Sequence, residues 1–189
     1  MCAQSVRTKN WETDGIDRIE ITAPFSSKVQ IDSHSEKTIQ LTYRSEGEYQ
    51  AQMGLFDQQN GNVLVFSEYR NPIFVTSQDK LAAHKVIASQ FQLTVPEQIP
   101  VSLHMKQGQL AVEGQFEALQ LTLLSGSCRL SLQHTVGRLQ TQSAPVEIRA
   151  QNMRIQAQSN GRVNDCESST NGPLFQIISQ SGTIRCITD

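Results

Sequence analysis

Carboxylates near the C-terminal end of the chain are the first candidates for chemistry. Asp165 and Glu167 are two residues apart, so their side chains share a face wherever the backbone is extended. With Glu147, Glu113 or Glu117 on neighbouring segments, they could supply the acid and base of a polysaccharide hydrolase or the oxygen ligands of a calcium site. We favour the alternative of ordinary solvated acids, because carboxylates lie at protein surfaces by default.

Arginine outnumbers lysine in the second half of the chain, which suggests anion recognition as a second kind of chemistry. Residues 91–189 contain one lysine and six arginines: Lys106, Arg129, Arg138, Arg149, Arg154, Arg162 and Arg185. Several adjoin an apolar residue that leads an alternating segment, so they should point outward. The hypothesis is a stripe that binds an anionic glycan or lipopolysaccharide through bidentate contacts, formed by Arg129, Arg138, Arg154 and Arg162. On the sequence alone we favour charges that merely discourage pairing between sheet edges.

The four cysteines are too few and too scattered for a disulfide framework, and no C-x-x-C pair indicates a zinc site. Cys166 and Cys186 lie about one repeat apart, and neighbouring strands are close enough for a disulfide. Strict alternation opposes that bond, since an inward Val163 places Cys166 outside, whereas Cys186 faces inward with Ile184. We therefore expect two reduced thiols, with Cys186 filling the core. Neither a metal nor a cofactor is predicted.

Composition excludes several classes of protein. The net charge of −2 provides no positive field for nucleic acid, so no nucleic-acid partner is predicted. No apolar stretch approaches the length of a transmembrane helix. Hydrophobic residues make up only 38%, which suits a thin core between two walls better than a compact α/β enzyme. Because phosphate-binding loops, nucleophile elbows and zinc-helix motifs are also absent from the sequence, the chain is predicted not to be an enzyme.

A repeated segment is the element that must position these side chains. Between Phe91 and Thr188 the chain repeats an apolar–polar–apolar unit followed by a turn, which is typical of strands with one buried face. The copies are Phe91-Gln92-Leu93, Val101-Ser102-Leu103, Leu110-Ala111-Val112, Leu119-Gln120-Leu121, Leu130-Ser131-Leu132, Leu139-Gln140-Thr141, Val146-Glu147-Ile148, Ile155-Gln156-Ala157, Phe175-Gln176-Ile177 and Ile184-Arg185-Cys186. Their recurrence at short spacing predicts a stacked repeat array.

Two interleaved series of leading apolar residues predict how the strands stack. One series is Leu110, Leu130, Val146, Val163 and Ile184, and the other is Leu119, Leu139, Ile155 and Phe175. In both series a longer first step is followed by a shorter one, and the last step is again long. A shared period indicates two strands per turn, one in each of two facing walls. Turn signals rich in glycine and serine fall where the corners are expected.

The first third of the chain is less regular. Apolar alternation predicts strands at residues 18–22, 28–32, 38–44, 49–53 and 62–69, and Asn60-Gly61 indicates a hairpin. These strands either pair antiparallel or form a wider part of the same stack. One short helix is predicted near residues 79–88, where apolar residues fall at helical spacing. Residues 1–15 are predicted to be an extended, flexible lead-in that contains Trp11.

The N-terminal sequence leaves the cellular compartment open. Met1-Cys2-Ala3-Gln4-Ser5 has neither a charged nor an apolar signal region, so no intact signal peptide is predicted. Small residues of this kind remain where an export signal has been removed, so residues 1–15 could include such a remnant. An acylated Cys2 in a lipoprotein and an ordinary cytosolic start are the alternatives.

The repeats resemble a known family. Gln107–Gly114 and Ser179–Ile184 are similar to the Ser-Gly-x-apolar-x-apolar units of bacterial adhesin-like β-solenoid domains of unknown function. Asp79–Pro96 and Ile16–Ile21 also resemble that group, so the likeness covers most of the chain. It implies an exported protein of Gram-negative type with no catalytic residues to carry over. The chain departs from the family pattern at Val163–Leu174, where a bulge or a widened corner is expected.

The sequence therefore predicts an all-β fold, a parallel β-solenoid (β-helix-like) with about two strands per turn. One domain is predicted over residues 16–189, with an irregular N-terminal part at 16–70 and regular repeats at 90–189. The predicted function is a non-catalytic, exported adhesin-like or interaction scaffold. It would present a flat polar wall to an anionic glycan or a cell-surface protein, in the periplasm, at the outer membrane or outside the cell.

Two other functions remain as alternatives. One is a carbohydrate-active β-helix enzyme that uses Asp165, Glu167 and Glu147. The other is a structural envelope protein that self-associates end to end through its terminal strands, with Ile184–Thr188 as the exposed edge.

Overall fold

A computed structural model describes residues 4–46, 53–70, 88–166 and 171–187. Within these ranges the chain forms fifteen strands and no helix, which confirms the all-β prediction there. The strands are β1 (Gln4–Glu12), β2 (Arg18–Ala23), β3 (Ser26–His34), β4 (Thr38–Glu46), β5 (Met53–Asn60), β6 (Val63–Arg70), β7 (Ala88–Pro96), β8 (Val101–Gln115), β9 (Ala118–Gln133), β10 (Val136–Thr141), β11 (Val146–Gln151), β12 (Arg154–Ser159), β13 (Val163–Asn164), β14 (Leu174–Ser179) and β15 (Ile184–Ile187).

The strands form one large mixed sheet that can be followed as two ladders. The first ladder runs β5-β6-β2-β8-β9-β10-β14-β12, and the second runs β1-β4-β7-β3-β8-β9-β11-β15-β13. β8 and β9 belong to both ladders, because Val101–Met105 pairs in the first and Gln107–Gln115 in the second. Pairing is parallel except between β1 and β4, β4 and β7, and β5 and β6.

Alternate side chains of both ladders pack into one core. In β9, Leu119 and Leu121 are buried from the first ladder, and Cys128 and Leu130 from the second, while the polar residues between them point outward. All four belong to a single hydrophobic cluster, because alternate side chains of a strand point to the same face of the sheet and here that face is buried. Full burial of one such aliphatic side chain stabilises the fold by about 1.5–3 kcal/mol.

Three successive repeats of the second ladder keep a constant register. Leu110 lies opposite Cys128, which lies opposite Val146, so the two steps are equal in length. The prediction of unequal spacings between the leading residues of this series is wrong. It took Leu130 as the leading residue of its repeat, whereas the residue in register with Leu110 and Val146 is Cys128, the inward residue before Leu130. The prediction that Leu110, Leu130 and Val146 face one core is confirmed.

The last two strands depart from chain order. β14 lies between β10 and β12, and β15 lies between β11 and β13. The final repeat, β14 and β15, therefore lies between the two repeats that precede it in the chain: β10 and β11 on one side, β12 and β13 on the other. The prediction that Ile184–Thr188 is an exposed edge is wrong for the described part, since Ile184–Ile187 pairs with β11 along its length and with β13 at its start. Val163 lies opposite the inward Ile184 and therefore faces the same side, and 39% of its surface is exposed because β13 is the last described strand of the second ladder.

Glycines allow the chain to pass from one ladder to the other. Gly108 and Gly126 are register partners at the bend of β8 and β9, with φ of 126° and 115°. A Cβ on Gly126 would lie 1.9 Å from the Gly108 carbonyl oxygen. Only glycine tolerates both this backbone region and this approach.

The N-terminal strands join the same sheet. β2 and β3 pair parallel with β8, and the predicted hairpin at Asn60-Gly61 joins β5 to β6. Residues 4–12 of the predicted lead-in form β1, and the Trp11 ring packs edge-on against Phe66 at 5.1 Å between centroids. Trp11 is therefore part of the packed structure.

Two predicted elements of the first half fall largely outside the described residues. The helix predicted near residues 79–88 lies outside the described residues except for Ala88, which begins β7. The strand predicted at 49–53 lies outside them except for Met53, which begins β5. The predicted domain limits stay a prediction.

Candidate functional site

The structure does not bring the four predicted arginines into one stripe. Arg129 points outward from the second ladder, whereas Arg138 and Arg154 point outward from the first. Arg162 lies in the turn before β13. The Arg154 Nε donates a hydrogen bond of 3.0 Å to the Gly172 carbonyl oxygen, which ties this side chain to the turn before β14. The four arginines are thus divided between separate surfaces.

A groove on the outer face of the second ladder gathers charged side chains from several repeats. It has a volume of about 700 Å³. Its charged lining defines what is called here the charged groove: Lys28, Asp32, Glu113, Arg129, Glu147 and Arg185. Ala111 lies between Gln30 and Arg129 in the register. Because its side chain is the smallest in that row, it leaves a depression between the longer side chains on either side.

Two arginines flank one carboxylate in the charged groove. Glu147 lies directly opposite Arg129 on one neighbouring strand and Arg185 on the other. The Arg129 Nε is 3.6 Å from Glu147 Oε1, and the Arg129 side chain remains 77% exposed. Parallel strands lie about 4.8 Å apart, so the backbones of Arg129 and Arg185 are separated by about 10 Å. A single carboxylate leaves most of the guanidinium donors free for a ligand.

Arg149 adds a third guanidinium to the same face. It lies opposite Ser131, and it lines an adjoining depression of about 460 Å³ together with Arg129 and Glu147. The sequence hypothesis omitted Arg149 and Arg185. Their position between inward residues predicted that they point outward, but not which strands would become their neighbours.

The other side of the charged groove holds two carboxylates together with Lys28 of β3. Asp32 and Glu113 are register partners on β3 and β8. The Gln30 Nε2 donates a hydrogen bond of 2.9 Å to Asp32 Oδ2. The groove therefore carries charges of both signs, with Lys28 beside the carboxylates of β3 and β8, and with Glu147 of β11 between the guanidiniums of β9 and β15.

The acids proposed for catalysis are not assembled in the described residues. Asp165 has a φ of 56° and follows the two-residue strand β13, while Glu147 lies on β11, with β15 between them. Glu167 lies outside the described residues. Across the described ranges no group of three or more His, Cys, Asp or Glu side chains could hold a metal ion.

Cys166 and Cys186 form a disulfide, so the prediction of two reduced thiols is wrong. The left-handed backbone of Asp165 breaks the alternation between Val163 and Cys166, and this places the Cys166 sulfur beside β15. The Cα atoms of the two cysteines are 4.9 Å apart, as expected for neighbouring strands. Cys128 is the free cysteine of the described residues, and burial raises the pKa of its thiol to about 12. That thiol is inert at neutral pH.

A buried carboxylate that the sequence did not reveal lies at the opposite end of the stack. Glu68 of β6 accepts hydrogen bonds from the backbone N–H groups of Phe25 and Ser26, each at 3.0 Å. It also accepts from the hydroxyls of Ser26 at 2.6 Å and Ser89 at 2.8 Å. Burial, and secondarily the charge of Glu68, raise the pKa of Tyr43 above its ordinary value. With its oxygens fully used inside the protein, Glu68 joins the first ladder to the second rather than binding a ligand.

The described residues contain no helix with the length and hydrophobicity needed to cross a membrane.

Comparison with solved structures finds a protein of similar fold. A putative cell adhesion protein from Clostridium sporogenes matches over 97% of this chain and 99% of its own, with a TM-score of 0.69 and 9% sequence identity. A putative adhesin from Bacteroides fragilis and one from Parabacteroides distasonis each match over 97% of both chains, at 10% and 9% identity, with TM-scores of 0.26 and 0.30. Only the first score is high enough to support a statement about fold. No protein-family model and no curated protein matches the chain.

Proposed function

We propose that this protein is a non-catalytic, exported, adhesin-like scaffold that binds an anionic glycan along the charged groove and the adjoining depression lined by Arg149. The observation that carries the proposal is the placement of Arg129, Arg149 and Arg185 on three adjacent strands with one carboxylate, Glu147, among them. Guanidinium groups form paired hydrogen bonds to carboxylate and sulfate groups, so this face suits a polymer of acidic sugars.

The spacing of the groove agrees with an extended polymeric ligand. Arg129 and Arg185 repeat across the strands at about 10 Å, which lets one chain of sugars contact both. The carboxylates of Asp32 and Glu113 would accept hydrogen bonds from sugar hydroxyls at the other side of the groove. Arg138, Arg154 and Arg162 lie outside the groove, and Arg138 serves as the control in its test.

Two observations support export. The Cys166–Cys186 disulfide is of a kind that persists in oxidising compartments, such as the periplasm and the cell surface. The protein of similar fold from Clostridium sporogenes is named for cell adhesion, and we extend that role to this chain. We further propose that the described strands, β1 included, form one β-solenoid domain with two strands per turn, on the basis of the constant register and the shared core.

Binding to an acidic polysaccharide tests this function. Titration calorimetry with polygalacturonate should show binding that weakens at about 0.5 M salt, and neutral dextran should not bind. Arg129→Ala and Arg185→Ala should each weaken binding by about ten-fold or more, because each removes charge-assisted hydrogen bonds. Arg138→Ala, on the outer face of the first ladder, is the matched control and should bind like the wild type. Equal binding by all three variants would refute the proposed site, and equal binding of dextran would refute the ligand class.

A further inference from the structure

The edge strands at the two ends of the stack differ in how well they are protected against pairing with a further strand. At the N-terminal end, β1 and β5 carry inward-facing charges: both Arg7 and Lys9 of β1 pair with Asp57 of β5, the Lys9 Nζ lying 2.6 Å from Asp57 Oδ2. The Arg7 Nη1 also donates to the Leu55 carbonyl oxygen at 2.7 Å. Inward charges of this kind prevent a further strand from adding to a sheet edge, since they would be buried by it.

The C-terminal end of the first ladder lacks this protection. β12 pairs with β14, and no other described strand of the sheet pairs with it. Its inward residues Ile155 and Ala157 are uncharged and only partly buried, although they pack against the core. Its outer residues Gln156 and Gln158 are neutral. Among the described residues, β12 is thus an edge strand whose outer side pairs with no strand and whose apolar column ends at Ile155 and Ala157.

We propose that β12 pairs antiparallel with β12 of a second copy of this chain, with Gln156 on the two-fold axis. In that register Ile155 of one copy lies opposite Ala157 of the other, so the two apolar columns become continuous. Arg154 lies opposite Gln158 of the second copy, so no two like charges face each other. The first ladders of the two copies then form one continuous sheet.

The pattern of β12 favours a second copy as the occupant. Antiparallel partners share a face, and β12 places its apolar residues on one face symmetrically about Gln156, so the strand is complementary to itself. Gln156 already accepts a hydrogen bond from Gln176 Nε2 at 3.1 Å, and a second Gln156 would extend this row of amides. The Cys166–Cys186 disulfide holds Cys166, which follows β13, against β15.

Cysteine cross-linking tests the register. In a background with Cys2→Ser, Gln156→Cys should form a covalent dimer under mild oxidation, because paired Cα atoms across antiparallel strands lie within disulfide range. Gln158→Cys is the matched control, since its partner is Arg154, and it should give at least about ten-fold less dimer. A mixture of Arg154→Cys and Gln158→Cys chains should yield the mixed dimer. Equal cross-linking of the 156 and 158 variants would overturn the register.

Sedimentation tests the association itself. The wild-type chain should shift from monomer to dimer as its concentration rises, and Ala157→Lys, which introduces an inward charge at the edge, should stay monomeric while unfolding at a similar temperature. A wild-type chain that remains monomeric at its solubility limit would refute the proposal, as would assemblies larger than dimers, because pairing on a two-fold axis closes. Glycan binding uses a different surface, so either test can fail without the other.

Discussion

The sulfur of Cys166 is bonded to that of Cys186, and this bond joins the turn after β13 to β15, the strand inserted between β11 and β13. The two residues are 20 positions apart in the chain. The bond therefore closes the loop that contains β14, the other inserted strand, and holds the terminal repeats in their exchanged order.

Removing this bond should destabilise the C-terminal repeats. Closing a loop of this length lowers the entropy of the unfolded chain, which corresponds to about 3 kcal/mol of stability. Cys166→Ser combined with Cys186→Ser should lower the free energy of unfolding by about that amount in urea titrations. Reductant should have the same effect on the wild type and none on the double variant. A wild-type chain indifferent to reductant would show that the bond contributes nothing to stability.

The glycine at the corner of β9 should be irreplaceable. Gly126→Ala places a Cβ 1.9 Å from the Gly108 carbonyl oxygen at a φ of 115°, so we expect a loss of at least about 3 kcal/mol or failure to fold. Gly61→Ala is the control, since Gly61 also has a positive φ but nothing lies within 4 Å of its Cβ position. That variant should lose only about 1 kcal/mol. Equal losses in thermal unfolding would show that the contact with Gly108 is unimportant.

Alternation in the sequence predicted the strands and their buried faces, because a period of two is a local property of the backbone. The residues Leu110, Leu130 and Val146 face one core for this reason. The pairing order could not be predicted in the same way. β12 and β14 share the same alternation, so the period alone does not decide which of the two lies next to β10.

Single residues explain the other failures of prediction. The positive φ of Asp165 reverses the side on which Cys166 lies, and no sequence period reveals it. β1 went unrecognised because its inward residues include Arg7 and Lys9, whose partner Asp57 is distant in the chain. The charged groove was missed because Arg185 becomes a neighbour of Glu147 only through the exchanged strand order.

Glu68 should contribute strongly to stability through its hydrogen bonds. Glu68→Gln can keep an acceptor oxygen for the two backbone N–H groups, but it removes the charge and the acceptor shared by the Ser26 and Ser89 hydroxyls, so we expect a loss of about 1–3 kcal/mol. Glu117→Gln, at an exposed position, is the control and should change stability by less than about 0.5 kcal/mol. Urea titrations of the two variants give the comparison. A Glu68→Gln chain as stable as the control would mean that the buried carboxylate is dispensable.

Cys128 should make the fold sensitive to alkali. Burial raises the pKa of its thiol to about 12 in the folded protein, whereas the unfolded chain loses this proton at the ordinary cysteine value. The folded state therefore binds one more proton between these two values, and stability is lost as the pH rises, by about 1.4 kcal/mol per pH unit from this group. Its contribution is fully present below about pH 8 and is exhausted near pH 12.

Comparison of the wild type with Cys128→Ala isolates the part of the pH dependence of stability that comes from the Cys128 thiol. In a background with Cys2→Ser, the variant should be less stable than the wild type at about pH 7, because a buried side chain is shortened, and the difference between the two chains should shrink as the pH rises above about 9. Unfolding in urea at each pH, with the disulfide intact, measures it. Parallel stability curves for the two chains across this range would show that the Cys128 thiol does not stay protonated in the folded protein and would contradict its burial in the core.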